Sequence, residues 1–288
     1  MGSEMCIRDS YKSAEENGEI FMLGDIVHNE QVVSDLADAG TKVVDNLDKI
    51  PDDKPVLFRA HGTETKVWED ALGKGLEIID ATCPLVQEIH DEVRKLAKDG
   101  RQIIIIGDHG HDEVVGIMSH AKNSIVVASP EEAQTLRKVK RAGVVSQSTQ
   151  SIENVQEIIN NLMTKVFDLH FINTICFPTK QNQEQIKTLA SESDVMVIIG
   201  SFTSANSKRL TQLSLEINKN TYQVNNAEDV DPSWFEGAEK VGISAGASTP
   251  DYLIDQVHQM INQLSPEPEE LSLIHISEPT RPLYISYA

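Results

Sequence analysis

LEIIDATCP (Leu76–Pro84) and LHFINTICF (Leu169–Phe177) superpose at a shift of 93 residues, which brings Cys83 onto Cys176. The match continues without a gap: the run IIIIG ending at Gly107 falls on VMVIIG ending at Gly200, and His111 falls on Ser204. Self-similarity at a fixed shift marks a repeated structural unit. In both copies the glycine follows the cysteine by 24 residues, and Phe21-Met22-Leu23-Gly24 has the form of the same strand in an earlier copy. A third cysteine is then expected near position 0. Cys6 stands only 18 residues before Gly24, so it breaks the spacing and is read as foreign to the repeat.

Around these landmarks, short apolar runs alternate with amphipathic segments. The runs are Ile20–Leu23, Val56–Phe58, Leu76–Ile79, Ile103–Ile106, Ser124–Ala128, Val144–Val145, Leu169–Ile172, Val195–Ile199 and Val241–Ile243. Between them, His90–Lys98, Ile152–Met163, Gln183–Ala190 and Tyr252–Leu264 have helical spacing. Continuous rather than alternating apolar strands, each followed by a helix-length segment, predict an α/β fold with mostly parallel sheets covered on both faces. The repeat predicts three similar small α/β domains: residues 11–83 (shortened at the start), 84–173 and 174–265. Residues 1–10 carry no usable period, and residues 266–288 follow a Pro/Glu stretch with a Pro-broken tail. Both are set aside as a non-native head and tail.

The 288 residues suit about two domains of ordinary size (~150 residues each) or several small ones. No apolar run approaches the ~18 residues of a membrane span. The formal charge is −20; the head nets −1 and the tail −3, so residues 11–265 carry −16. Such a balance argues against nonspecific binding to nucleic acid or anionic membranes, which depends on clustered Lys and Arg. The head lacks the apolar region of a signal peptide, and the cytoplasm is the expected location. Three cysteines exclude a disulfide scaffold, and there is no CxxC for a zinc ribbon or thioredoxin-like site.

Cys83 and Cys176 each follow an apolar strand and precede a helical segment. At a helix amino terminus the unpaired N–H groups favour thiolate, making the sulfur a better ligand or nucleophile. Three thiolates, one per repeat, would converge on a pseudo-threefold axis and could hold three irons of a cubane, leaving the fourth open. Other strand ends carry polar residues: His28 and Asn29, His61, His109, His111 and Glu113, Ser146, Ser148 and Thr149, Ser204 and Asn206, and Ser248. Neutral donors of this kind, with helix amino termini, suit a diphosphate. His111 and Glu113 form an acid/base candidate, the carboxyl being one that burial could push toward neutrality. His90, His120, His170 and His258 have no partner motif and are left as surface or core residues. No GxxxxGK[ST] or strand-borne GxGxxG supports a nucleotide site.

Taken together, IVHN, AHG, DATCPLV, GDHGHDEV, the SQST run, NTICFPT, GSFTSANS and SAGASTPD, in that order over residues 11–265, resemble the 4-hydroxy-3-methylbut-2-enyl diphosphate reductases of isoprenoid biosynthesis by the methylerythritol phosphate pathway. The resemblance implies three similar α/β domains around a [4Fe-4S] cluster. It makes Cys83 and Cys176 two of three cluster ligands. It makes His28, His61, Ser204, Asn206 and Ser248 diphosphate-binding residues. His111, Glu113 and Thr149 or Ser148 become the residues that orient the substrate hydroxyl and relay protons, with Glu113 as proton donor. It further implies ferredoxin or flavodoxin as electron donor, and products isopentenyl and dimethylallyl diphosphate. Two departures stand out. The family's first strand and its Gly-Phe-Cys motif are missing, so the third cysteine ligand is absent and activity is expected to be impaired. Ala205 also replaces a serine of the phosphate site, with a modest loss expected. The dense basic run Arg137, Lys138, Lys140 and Arg141 is the one place where an acidic electron donor could dock. Two other functions compete: a redox-dead diphosphate-binding module, and a zinc-dependent hydrolase using His111, Glu113 and a cysteine.

Overall fold

The computed structural model describes residues 2–264 and 283–286. In chain order the strands are β1 (Ile20–Leu23), β2 (Thr41–Val44), β3 (Val56–Phe58), β4 (Ile78–Asp80), β5 (Gln102–Ile106), β6 (Ile125–Val127), β7 (Val139–Ser146), β8 (Val166–Phe171), β9 (Val195–Ile199), β10 (Thr221–Val224), β11 (Lys240–Ala245) and β12 (Leu283–Ser286). The helices are α1 (Gly2–Asn17), α2 (Glu30–Asp38), α3 (Thr65–Gly73), α4 (Pro84–Lys98), α5 (Asp112–Met118), α6 (Pro130–Thr135), α7 (Ile152–Leu162), α8 (Phe177–Glu192), α9 (Ala205–Ile217) and α10 (Asp251–Gln263). The strands form three sheets of one topology, β2-β1-β3-β4, β6-β5-β7-β8 and β10-β9-β11-β12. Every pairing is parallel except β11 with β12. The α/β repeat expected from the 93-residue shift is therefore present, with β5 and β9 in the same place in their sheets.

The four isoleucines of β5 explain why the strand reads as continuously apolar. Ile104 and Ile106 pack with Val155, Ile158 and Leu162 of α7 on one face. Ile103 and Ile105 pack with Ile89, Val93 and Leu96 of α4 on the other. A strand with helices on both faces has no polar side to alternate. In β9, Val195, Val197 and Ile199 likewise meet Val257 and Ile261 of α10, while Met196 and Ile198 meet Leu189, Leu210 and Leu213 of α8 and α9. Each such side chain contributes roughly 1.5–3 kcal/mol by leaving water, so these central strands anchor their sheets.

The three sheets are grouped in two compact units. Among the described residues, one unit, residues 2–27 and 31–176, carries the first two sheets; the other, residues 28–30, 177–264 and 283–286, carries the third. The head differs from expectation. Residues 2–10 begin α1, and Cys6, Ser10 and Ala14 are buried at helical spacing, Cys6 in one core with Cys83, Ile20, Met22 and Leu57. Its buried stripe is Cys-Ser-Ala, too weakly apolar to register as a period. Of the tail, Leu283–Ser286 form β12 and the rest of residues 266–288 lies outside the described residues. No described helix is long and apolar enough to cross a membrane.

Candidate active site

Two equivalent turns present the repeat-related cysteines. After β4, Asp80 Oδ1 accepts the Thr82 N–H at 2.9 Å; after β8, Asn173 Oδ1 accepts the Ile175 N–H at 3.2 Å. These Asx-type turns sit at the same offset, three residues before Cys83 and Cys176, because short carboxylate and amide side chains can replace backbone in a turn. The turns are tied down by the segment just after the third strand of each sheet: the Cys83 N–H donates to Ala60 O (3.0 Å) and the Cys176 N–H to Ser148 O (2.9 Å).

Cys83 is the N-terminal cap of α4 and is 9% exposed. Its thiol is lowered to about 6, first by hydrogen bonding from the Cys6 thiol, then by the Leu85 and Val86 N–H groups of the helix start, which outweigh burial. Cys6 is correspondingly pushed up as the donor of that pair. The reading of Cys6 as a residue apart from the fold is thus corrected, since it lies against Cys83.

Glu113 and Ser148 form the polar centre of the same unit. Glu113, on the first turn of α5, is 1% exposed. Its Oε1 accepts the Ser148 N–H at 2.5 Å and its Oε2 accepts the Ser148 hydroxyl at 2.8 Å. Burial raises the carboxyl to about 7 against these two bonds, with the charges of Cys83 and Asp108 adding to the rise. Ser148 therefore holds Glu113 through its N–H and hydroxyl and Cys176 through its carbonyl, while Cys83 is near enough to bias the carboxyl. The two cysteines and the acid belong to one neighbourhood. His111 caps α5, with Nδ1 accepting the Glu113 N–H at 3.1 Å, so the neutral ring carries its proton on Nε2. The His61 and His111 rings are nearly perpendicular, their centres 5.6 Å apart. Arg59, two residues earlier, pairs with Asp112 at 2.6 Å and fastens this turn to α5. Thr149 Oγ1 accepts from Gln147 Nε2 at 3.2 Å. Gln147, fully buried, also accepts the Asp108 N–H at 2.9 Å; sequence reading missed it because Gln carries no motif of its own.

His28, Ser204, Asn206 and Ser248 lie in the other unit. Asn29 Nδ2 donates to Ser248 O at 3.1 Å. Ser204 caps α9, its hydroxyl accepting the Ser207 N–H at 3.3 Å. Asn206 is buried, and its Nδ2 has no hydrogen-bond partner among the described residues. Such an orphan donor is what an anion at a helix amino terminus would satisfy. Glu30 was missed: its Oε1 accepts from Ser201 (2.9 Å) and Thr203 (3.1 Å). Its carboxyl stays below the usual range, because these bonds and its own backbone N–H outweigh burial.

Other candidates stand elsewhere. His109 pairs with Glu132 at 2.9 Å on the surface and takes no part in the centre. The basic run leads into β7, and Arg141 is engaged by Asp168 (3.1 Å) and Asp99 O (3.1 Å).

On a repeated α/β scaffold, two cysteine-bearing turns and the buried Glu113 carboxyl thus stand together at the strand ends. The profile of the LytB protein family matches residues 1–262, and the chain belongs to that family. A relative from Geobacter sulfurreducens named 4-hydroxy-3-methylbut-2-enyl diphosphate reductase is 41% identical over 263 residues, covering 91% of this chain and 93% of the relative. One of the same name from Geobacter metallireducens is 39% identical over 264 residues, with the same coverage. The solved structure of the E-1-hydroxy-2-methyl-but-2-enyl-4-diphosphate reductase from Plasmodium falciparum has a TM-score of 0.86 at 28% identity, covering 93% of this chain and 85% of that one. The structure of an (E)-4-hydroxy-3-methyl-but-2-enyl diphosphate reductase, described as the terminal enzyme of the non-mevalonate pathway, has a TM-score of 0.67 at 37% identity, covering 91% and 95%. The chain is therefore an oxidoreductase of the LytB family.

Proposed function

We propose that the chain reduces 4-hydroxy-3-methylbut-2-enyl diphosphate to isopentenyl and dimethylallyl diphosphate in the cytoplasm, two electrons and two protons replacing the allylic hydroxyl with release of water. The observation that carries this reading is Glu113, a buried carboxyl raised to about 7 and fixed by the residue that also anchors Cys176. The donor set fits a [4Fe-4S] cluster, since Cys83 is held toward thiolate and Cys176 shares its neighbourhood. Cys83 and Cys176 would hold it, and when bound it supplies electrons one at a time and a Lewis-acidic iron.

The protein's own residues do the rest. Glu113 holds a proton near neutral pH on a carboxyl oxygen; each oxygen spends one lone pair on Ser148 and keeps another for that proton. His111, its Nδ1 occupied by the Glu113 N–H, presents Nε2–H as an anion donor. Gln147 fixes the Thr149 hydroxyl, which orients the substrate hydroxyl with Ser148. His28, His61, Ser204, Asn206 and Ser248 take the diphosphate, the unpartnered Asn206 amide supplying a ready donor. Electrons come from ferredoxin or flavodoxin docked at Arg137, Lys138 and Lys140.

Only two cysteines follow the repeat, and we assign Cys6 the role of thiol donor to Cys83, not cluster ligand. Anaerobic iron and sulfide analysis with a visible spectrum is the test. About four irons per chain, unchanged in Cys6→Ser, support the reading, and iron lost in Cys6→Ser moves Cys6 into the ligand set. Bound zinc would favour a hydrolase. Diphosphate affinity with neither metal would leave a redox-dead binding module, and either result overturns the reductase.

A further inference from the structure

His90 lies two turns into α4, 6% exposed, with Nε2 buried and no hydrogen-bond partner among the described residues. An orphan polar atom in a core is costly, on the order of 1–3 kcal/mol, so the ring calls for an explanation beyond filling space. The Cε1–Nε2 edge of its ring lies against the turn that carries His61. A Cβ added to Gly62 would stand 2.7 Å from His90 Cε1 and 3.1 Å from Nε2, and Gly62 has φ +86°, where only glycine is at ease. From the other side Gly116 of α5 closes on the same turn, its added Cβ reaching Gly62 O and His61 O at 3.6 Å. Behind His90 stands His120, ring centres 4.2 Å apart. The His120 Nδ1 accepts from Arg94 Nη1 at 2.9 Å, and Arg94 is in turn held by Asp91. A continuous packed series therefore runs from Asp91 through Arg94, His120 and His90 to Gly62 and His61, and from there to the His111 ring.

We propose that His90 is a positioning residue: through Gly62 it fixes the turn that aims the His61 ring, without touching substrate itself. The inference rests on the reading of His61 as a diphosphate ligand and deepens it. A buttress of this kind should matter because small displacements of a binding group weaken its interaction severely.

The test is a double-mutant cycle on the full chain with inorganic diphosphate as probe, reading the dissociation constant by calorimetry. The wild type is expected to bind, and His61→Ala and His90→Ala are each expected to weaken binding on the order of tenfold or more. The double variant should be no weaker than His61→Ala alone, since His90 acts only through that ring. The His61 ring resonances should also move in His90→Ala. Additive losses, or wild-type affinity with unmoved resonances, overturn the proposal. Where the alanine variant does not fold, His90→Gln, which keeps a flat polar group in the core, carries the same cycle. A wild type that binds no diphosphate sinks the reading of His61 itself, a result distinct from a failed cycle.

Discussion

Burial and Ser148 pull Glu113 in opposite directions, and burial prevails, leaving a carboxyl that titrates at about 7. A group raised in the folded state favours folding fully below its unfolded value, near 4.5, and loses that contribution as pH rises through about 7. Glu113→Gln, which cannot ionise, is therefore expected to lack the loss of stability that wild type shows as pH rises from ~4.5 to 8.5; urea unfolding across that range measures it. The same substitution should lower turnover by about 10²–10⁴-fold, the usual share of a positioned acid. Ser148→Ala removes a bond that favours the carboxylate, so the alkaline limb of the pH–rate profile should move upward; a limb that moves down would show that the hydroxyl favours the acid form. At this scale the sequence was informative where chemistry is local. His111 and Glu113 are two apart, and the strand before them forecasts burial. It was silent on Ser148 as the common support of Glu113 and Cys176, because those contacts span 35 and 28 residues and no short motif encodes them.

Among the elements, α4 joins two tasks: its amino end favours the Cys83 thiolate, and its second turn buries His90 beside His120. Burial lowers His90 to about 3 and His120 to about 4; the His120 imidazole and Arg94 add to the fall at His90, and Arg94 to that at His120. Groups lowered in the folded state contribute fully above the unfolded value near 6.5, and that contribution is lost as pH falls. The urea midpoint should therefore drop between pH 7 and pH 5, and His90→Leu should flatten that slope; an equally steep slope in the variant would assign the acid sensitivity elsewhere. The strands legible in sequence were the central ones, β5 and β9 above all, with both faces buried. The edge strands β2 and β10 escaped because only their first and last residues are buried. α1 escaped because its inward face is Cys6, Ser10 and Ala14, and His90 because its partners sit on other elements.

The molecule as a whole carries −20, yet Arg137, Lys138 and Lys140 remain exposed at the start of β7. On the adjoining edge strand β8, Phe167 is 91% exposed. A basic rim with a solvent-facing aromatic suits a small acidic partner, steered by charge and seated by the ring. Reversing the three charges should slow electron delivery and flatten its dependence on salt; unchanged rates would remove this surface from the reaction. The threefold repetition of strand order was foreshadowed by the 93-residue shift, whereas the grouping of two sheets into one unit was not, since packing between repeats leaves no periodic trace. The reversed run of β12 carries a consequence of its own. In the first two sheets the outermost strand travels with its neighbours and ends in a sulfur-bearing turn; in the third it travels against them through four register pairs, Lys240 with Ser286 to Ile243 with Leu283. Opposed pairing makes straighter and slightly stronger hydrogen bonds than parallel pairing, so β12 is expected to cover the outer edge of β11 and deny that edge to another chain.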